Sequence, residues 1–345
     1  MEKVGLCYHY GDDKHLSISR IKCGKKRFYY RYASGRKVNS KRVLNRIKGL
    51  AVPPNWQDTK ISKDSKASIQ AIGINEKGRK QYIYHQRWHE HQQAVKFSRL
   101  LEFGKQLPQF RQRCLEMVEK EAWNYERACA LVCLLLDYTG ARVGNVQYSK
   151  QNNTFGLTTL RRKHLQNFCE DGVALSYIGK HGKTRNLSID DHELANLICE
   201  SAQQQGYSLF RYKDESSKWH DITSEDVNAF IHDNMSEDFS CKDFRTWAAS
   251  RFALMCLGDT YREVQESTNK KWQSTLSKRV AAEIGNTPSV CRQYYIHPKL
   301  LCLDGDPQQL QYTLSQIDAF SFDAEYNLKA LSPVEKVLVD IISPQ

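Results

Sequence analysis

Two short stretches near the start of the chain, Leu16 to Cys23 and Arg27 to Tyr32, are rich in β-branched or aromatic residues and are punctuated by Gly24 and Ser34-Gly35. This pattern predicts β-strands, and Pro53-Pro54 bars a helix near residue 50. From about residue 91 the period becomes helical. Trp123 to Tyr138 is almost continuously apolar after Arg127 and stops at Gly140, which predicts a buried helix with a glycine stop. Ala174 to Ile178 and Thr184 to Ile189 alternate around Gly179-Lys180-His181-Gly182 and predict a β-hairpin. Asp190 or Asp191 then caps a helix ending near Gly206, Thr223 with Asp226 reads as a capping box, and Ser240 opens a helix to Gly258. A further helix is predicted from about Thr260 to Ile284-Gly285. Thr287-Pro288 places an N-cap before a first-turn proline, starting the short helix that carries Tyr294-Tyr295. Leu331 to Ile342 has amphipathic spacing, suited to packing on the helical part or meeting a partner. No internal repeat or low-complexity tract interrupts the chain. The fold class expected is α+β, with a small mainly-β N-terminal domain (residues 1–90) and a larger, mainly α domain (91–345). The boundary falls between His85 and Val95.

Charge sharpens that division. The chain has 345 residues, 40% of them hydrophobic, and its 51 Lys and Arg exceed its 39 Asp and Glu to give a net charge of +12. Residues 1–90 hold 21 Lys and Arg against 7 Asp and Glu, whereas residues 91–345 hold 30 against 32. The polycationic module points to an anionic partner. Its stretches Lys25-Lys26-Arg27-Phe28-Tyr29-Tyr30-Arg31-Tyr32 and Arg79-Lys80-Gln81-Tyr82-Ile83-Tyr84 interleave cations with rings that can reach sugars and base edges. A solvated charged face with core tyrosines explains either stretch alone; both in one small module favour nucleic acid. The longest apolar run is nine residues, Ala128 to Leu136, against roughly 18 needed to span a bilayer, and Met1 to Ser19 lacks a secretory apolar stretch. An intracellular, cytoplasmic protein is expected, nucleoid-associated if its source is bacterial. The 11 cysteines form no C-x-x-C pair, and Cys129 and Cys133 read as reduced core thiols.

Several common motifs fail. Gly179 to Thr184 suggests a P-loop, but that spacing requires glycine where Tyr177 stands. His85, His89 and His91 have no accompanying acidic or Cys ligands, so a helix surface beside DNA fits them better than zinc. No dinucleotide fingerprint follows a predicted strand. Neither a metal nor a cofactor is expected.

What remains is a set of cations in the second module and a tyrosine near its end: Gly140-Ala141-Arg142-Val143-Gly144-Asn145, Gly179-Lys180, Lys242-Asp243-Phe244-Arg245-Thr246, and Gly285-Asn286 through Arg292-Gln293-Tyr294-Tyr295. This order resembles type IB DNA topoisomerases, the bacterial and poxvirus branch in particular. The resemblance extends to Pro53-Pro54-Asn55-Trp56 and Gly78 to Tyr84 and covers roughly residues 44 to 298.

Transesterification of a DNA strand needs a nucleophile, charge stabilisation on the nonbridging phosphate oxygens and a proton for the departing sugar oxygen. Tyrosine suits the first role: cations favour its phenolate, and a phosphotyrosine bond conserves the energy for resealing without a nucleotide. Guanidiniums suit the second because they can grip phosphate bidentately, as lysine cannot. Arg142 and Arg245 are the candidates, and Arg245 is expected near the start of its helix, where amides and dipole also favour an anion. The resemblance implies Lys180 as proton donor and Tyr295 as nucleophile, nine residues after Asn286. Poxvirus and eukaryotic members have His where Asn286 stands and bacterial-type members have Asn, which can donate to phosphate but brings no positive charge. The resemblance also implies major-groove contacts for Gln81, Tyr82 and Tyr84, with Arg79, Lys80 and Lys242 beside them on DNA. The partner implied is double-stranded DNA, clamped by a monomer. A tyrosine recombinase shares this chemistry but usually shows His-x-x-Arg where this chain has Lys242-Asp243-Phe244-Arg245. A DNA-packaging protein explains the basic module but not the ordered cations with Tyr295.

Overall fold

The structure, a computed structural model, describes residues 15–24, 27–169, 172–318 and 328–344. The N-terminal stretch before residue 15, with Cys7, and the Lys25-Lys26 pair of the first basic run lie outside the described residues. The chain divides into two compact units, residues 1–96 and 97–345.

The first unit is built on an antiparallel sheet of β1 (Ile18–Cys23), β2 (Arg27–Tyr32), β3 (Gln57–Ile61), β4 (Ile69–Ile74) and β5 (Lys80–Tyr84) in the order β2-β1-β3-β4-β5. The two basic, aromatic stretches therefore form the two edge strands, where charge also discourages edge-to-edge pairing. Helix α1 (Lys41–Gly49), which the alternation alone does not predict, places Ile47 in a small core with Ile18, Val38, Ile61 and Ala71. Pro53-Pro54 follows that helix, and its loop is pinned by Arg20, whose guanidinium donates to the carbonyls of Val52, Pro53 and Trp56 at 3.2, 2.9 and 2.8 Å. Trp56 packs so closely on Gly73 that a Cβ there would meet its ring at 2.7 Å. The Pro53-Trp56 motif thus has a packing role in this unit. Helix α2 (Gln86–Ser98) carries His89 and His91.

The second unit is mainly helical. Helices α3 (Leu100–Val118) and α4 (Tyr125–Thr139) are followed by α5 (Val146–Asn152) and a three-stranded antiparallel sheet of β6 (Leu165–Cys169), β7 (Gly172–Ile178) and β8 (Thr184–Ile189). Then come α6 (His192–Gln203), the short hairpin β9 (Arg211–Lys213) and β10 (Trp219–Asp221), α7 (Ser224–Asn234) and α8 (Cys241–Met255). The chain continues through α9 (Leu257–Gln265), α10 (Trp272–Ile284), α11 (Pro288–Tyr294), α12 (Pro298–Leu301), α13 (Pro307–Asp318) and α14 (Pro333–Ile342). The one helix expected from Thr260 to Ile284 is therefore two, because the polar stretch Glu266 to Lys271 turns out of α9 before Trp272 re-enters the core. The helix opened by Ser240 stops at Met255 rather than Gly258. Asp191, not Asp190, caps α6, accepting from the Leu194 amide.

α4 is the hub. From Ala128 to Leu136 every side chain is buried, which is why that run is continuously apolar. Burial pushes the Cys129 thiol up to about 12 and that of Cys133 well above its ordinary value, so both are inert packing groups. At the end of α4, Asp137 joins a buried charge network with Arg111 of α3 (2.6 Å), Arg251 of α8, and Glu335 of α14, which also accepts from the Trp247 indole at 2.8 Å. Arg111 and Arg251 reach Glu335 at 2.7 and 3.2 Å. The amphipathic helix expected near the end of the chain thus packs on the helical unit through a carboxylate at its N-terminal capping box as well as through Val337, Leu338 and Ile341. Among the described residues no helix is long and apolar enough to cross a membrane.

Candidate active site

α4 ends because Gly140 takes the left-handed conformation (φ 59°), and a Cβ there would lie 2.8 Å from that of Ala248. The chain then turns into the loop bearing Arg142, whose carbonyl accepts from the Leu157 amide at 2.9 Å and whose neighbour Val143 accepts from that of Thr158 at 2.7 Å. The Arg142 side chain is half-buried and donates to the Gly285 carbonyl at 3.0 Å.

Arg245 is the fifth residue of α8 and only 4% exposed. It donates to the carbonyls of Gly140 and of Ile284, the latter at 2.7 Å. The sequence places it near a helix N-terminus that would help it hold an anion. The residue does sit there, but the Ser240–Asp243 capping box occupies that end and the guanidinium turns to the carbonyl end of α10. Burial, then the nearby Arg142, lowers its pKa to about 10, still far enough above neutrality to keep it charged. Arg142 is lowered for the same first reason, with Tyr295 and Tyr177 acting in the opposite sense.

α10 closes in a Schellman turn: Gly285 has φ 62°, and the Asn286 amide donates to Ala281 at 2.9 Å. Thr287 caps α11 and Pro288 fills its first position, as the sequence predicts. Tyr295 is the C-cap of α11. Its carbonyl accepts from Ser250 of α8 at 3.4 Å, and its ring lies 5.3 Å from the Arg245 guanidinium carbon. One helix, α8, thus fixes both the arginine and the backbone of the tyrosine. Two donors here, Arg245 Nε and Asn286 Nδ2, are buried and have no hydrogen-bond partner. A buried, unsatisfied donor costs about 1–3 kcal/mol, and such groups cluster where a ligand completes them.

Lys180 sits exposed at the tip of the β7–β8 hairpin, in a turn closed by Gly179 N–H to Lys183 O at 2.7 Å. Its ammonium makes no hydrogen bond or ion pair among the described residues. Lys242 is exposed in the first turn of α8. In the first unit, strand alternation puts Lys80, Tyr82 and Tyr84 on one face of β5 and Gln81 with Ile83 on the other. Tyr82 stacks on Tyr84 at 5.8 Å with Lys80 over its ring at 5.6 Å, and Tyr82 is 42% exposed. Arg79, half-buried, immediately precedes the strand.

Sequence reasoning missed Arg185 on β8. It donates to the carbonyls of Ala282 and Glu283 at 3.1 and 2.6 Å, so three arginines from three elements hold the four consecutive carbonyls 282–285. Tyr177 pairs with Arg185 across the hairpin, and burial raises the pKa of that phenol while the arginines oppose the rise. The strand's alternation marked Arg185 only as a hairpin residue.

Residues 85–318 match the family described as "Eukaryotic DNA topoisomerase I, catalytic core", and residues 27–75 match "Bacterial DNA topoisomerase IB, N-terminal domain". The second match covers a region that the recombinase alternative does not explain. The chain is 30% identical over 294 residues to a "DNA topoisomerase 1B" of Acanthamoeba polyphaga mimivirus, covering 83% of this chain and 87% of the relative. It is 22% identical over 244 residues to the "DNA topoisomerase I" of Monkeypox virus and to the "DNA topoisomerase 1B" of Vaccinia virus (strain Copenhagen), covering 67% of this chain and 70% of each. A catalytic-core match across two thirds of the chain, joined to a matched N-terminal domain, makes this chain a member of the type IB DNA topoisomerases, which relax supercoiled duplex DNA through a transient single-strand break.

Proposed function

We propose that Tyr295 is the nucleophile, with Arg142, Arg245 and Asn286 on the phosphate and Lys180 as the proton donor. The phenol oxygen of Tyr295 attacks the scissile phosphorus as its proton passes to solvent water. The bond from phosphorus to the 5′ oxygen breaks, Lys180 Nζ supplies the proton to that oxygen, and the 3′ phosphate remains on the tyrosine. Rotation of the free end releases supercoil tension, and the 5′ hydroxyl reverses the step, returning its proton to Lys180. One phosphodiester is exchanged for another, so no ATP enters the balance. The observation that carries this reading is the pair of orphaned donors, Arg245 Nε and Asn286 Nδ2, beside the Tyr295 segment. Asn286 offers an amide hydrogen bond where a histidine would add charge, which leaves the charge stabilisation to the guanidiniums.

In the same reading Arg79, Lys80, Gln81, Tyr82 and Tyr84 contact duplex DNA together with Lys242, and a monomer closes around it as a clamp. Plasmid relaxation in EDTA without ATP, followed by denaturant trapping, is the test. Tyr295→Phe is expected to bind DNA normally, form no covalent adduct and relax nothing, while Tyr294→Phe stays active. An adduct retained in Tyr295→Phe overturns the assignment.

A further inference from the structure

We propose that Arg185 is a positioning residue that sets the Lys180 hairpin against the Asn286–Tyr295 segment. This deepens the proposed function and rests on Lys180 as proton donor. The side chain lies between two glycines, each immediately before a residue of the site. A Cβ on Gly179, which precedes Lys180, would stand 3.0 Å from Arg185 Cγ; one on Gly285, which precedes Asn286, would stand 2.4 Å from its Cδ and 2.5 Å from its Nε. The guanidinium then donates to Ala282 and Glu283, at the carbonyl end of α10. One side chain therefore touches the turn that carries the proton donor and the turn that carries the phosphate contact.

The physical need for such a spacer is plain. Lys180 is at an exposed hairpin tip with no side-chain partner of its own among the described residues, and its neighbour His181 takes φ 65°. A long, solvated ammonium on a bare turn has no fixed distance to the leaving oxygen. Arg185, five residues on and across the same hairpin, removes that freedom by fastening β8 to a helix terminus whose carbonyl dipoles favour cations. Tyr177 is the register partner of Arg185 on the opposite strand of the hairpin. Lysine substitutes only in part, since one ammonium on a flexible stem does not reproduce a planar fork spanning two carbonyls.

The test is single-turnover cleavage of a duplex bearing either oxygen or sulfur at the 5′ bridging position, with DNA affinity measured in parallel. Sulfur leaves without a proton, so it bypasses Lys180 and anything that acts through it. Arg185→Ala is expected to cleave the oxygen substrate about 10²-fold more slowly, the order associated with a small misplacement of a reacting group. On sulfur it should return to within about 3-fold of the parent, because only the proton-donor contribution of about 10²–10⁴ is in play. Arg185→Lys keeps charge and bulk and should show the same pattern at smaller amplitude, which guards against a folding defect in the alanine variant. Equal losses on oxygen and sulfur, or no loss on oxygen, overturn the proposal. Lys180→Ala separates the two readings. If it is rescued by sulfur and Arg185→Ala is not, Arg185 is wrongly assigned; if Lys180→Ala is itself not rescued, the proton-donor assignment has failed and the coupling falls with it.

Discussion

Arg20 apart, the cations that set the character of the first unit are exposed, whereas the second unit buries several of its own. In the first, Lys22, Arg27, Arg31, Arg36, Lys37, Lys60 and Lys80 are exposed, many on or beside the edge strands, and act as a solvated positive field. In the second, Arg111, Arg127, Arg245 and Arg251 are all at most 8% exposed, and each donates to named carbonyls or carboxylates. A field attracts any polyanion and fades with salt. A buried guanidinium holds a shape, and its loss is felt as geometry or stability. Net charge therefore marks the basic first unit and is silent about the region that matches the catalytic core, which is nearly neutral.

The severest challenge to that contrast comes from Glu335. Glu335→Gln leaves Arg111 and Arg251 without their shared carboxylate, and urea unfolding should record a loss of about 3–5 kcal/mol. A change below about 1 kcal/mol would mean that the buried arginines are not the rigid set described. Next in size, Arg245→Ala should slow strand cleavage by about 10²–10³, the range for removing a preorganised donor, and Arg245→Lys should do nearly as badly. DNA affinity should barely move; an equal fall in affinity would make Arg245 part of the field after all.

Acid should act mainly through the second unit. Burial, and then the nearby Lys299, pulls the His297 pKa down to about 4, so the unfolded chain takes a proton that the folded one refuses, and stability falls as pH drops from about 6.5 towards 4. Despite its burial, Glu335 is held down to about 2 by Arg111 and Arg251. Its contribution is complete above about 4.5 and disappears as pH falls towards 2. Thermal melts across this range should show two successive losses, the first reduced by His297→Phe, with the remainder falling to His164, whose pKa burial also lowers. The smallest effect belongs to the first unit. Arg79→Ala or Lys80→Ala should flatten the log–log salt dependence of DNA binding by about 0.9 for each phosphate left without its cation, with the cleavage rate on saturating DNA unchanged.

Features set by neighbouring residues were legible in the sequence. The Gly140 stop, the Thr223 capping box, the helix start at Ser240, the Thr287-Pro288 start and the Lys180 hairpin each need only a few adjacent positions, and the structure has all of them. The break between α9 and α10 was missed because Glu266 to Lys271 contains neither Gly nor Pro. Arg185 and Glu335 were missed for a different reason: their partners lie about 97 and 224 residues away, at distances no periodicity encodes. Arg142, Arg245, Asn286 and Tyr295 were singled out with the help of family order, and the structure brings them together around the end of α10.

That convergence also makes the catalyst fragile in a useful sense. The end of α10 is a seat that exists only when the α4 exit loop, the β7–β8 hairpin and α8 have all docked on it. A chain with any of these pieces detached has its arginines scattered, so the seat belongs to the finished fold and to no shorter stretch of it.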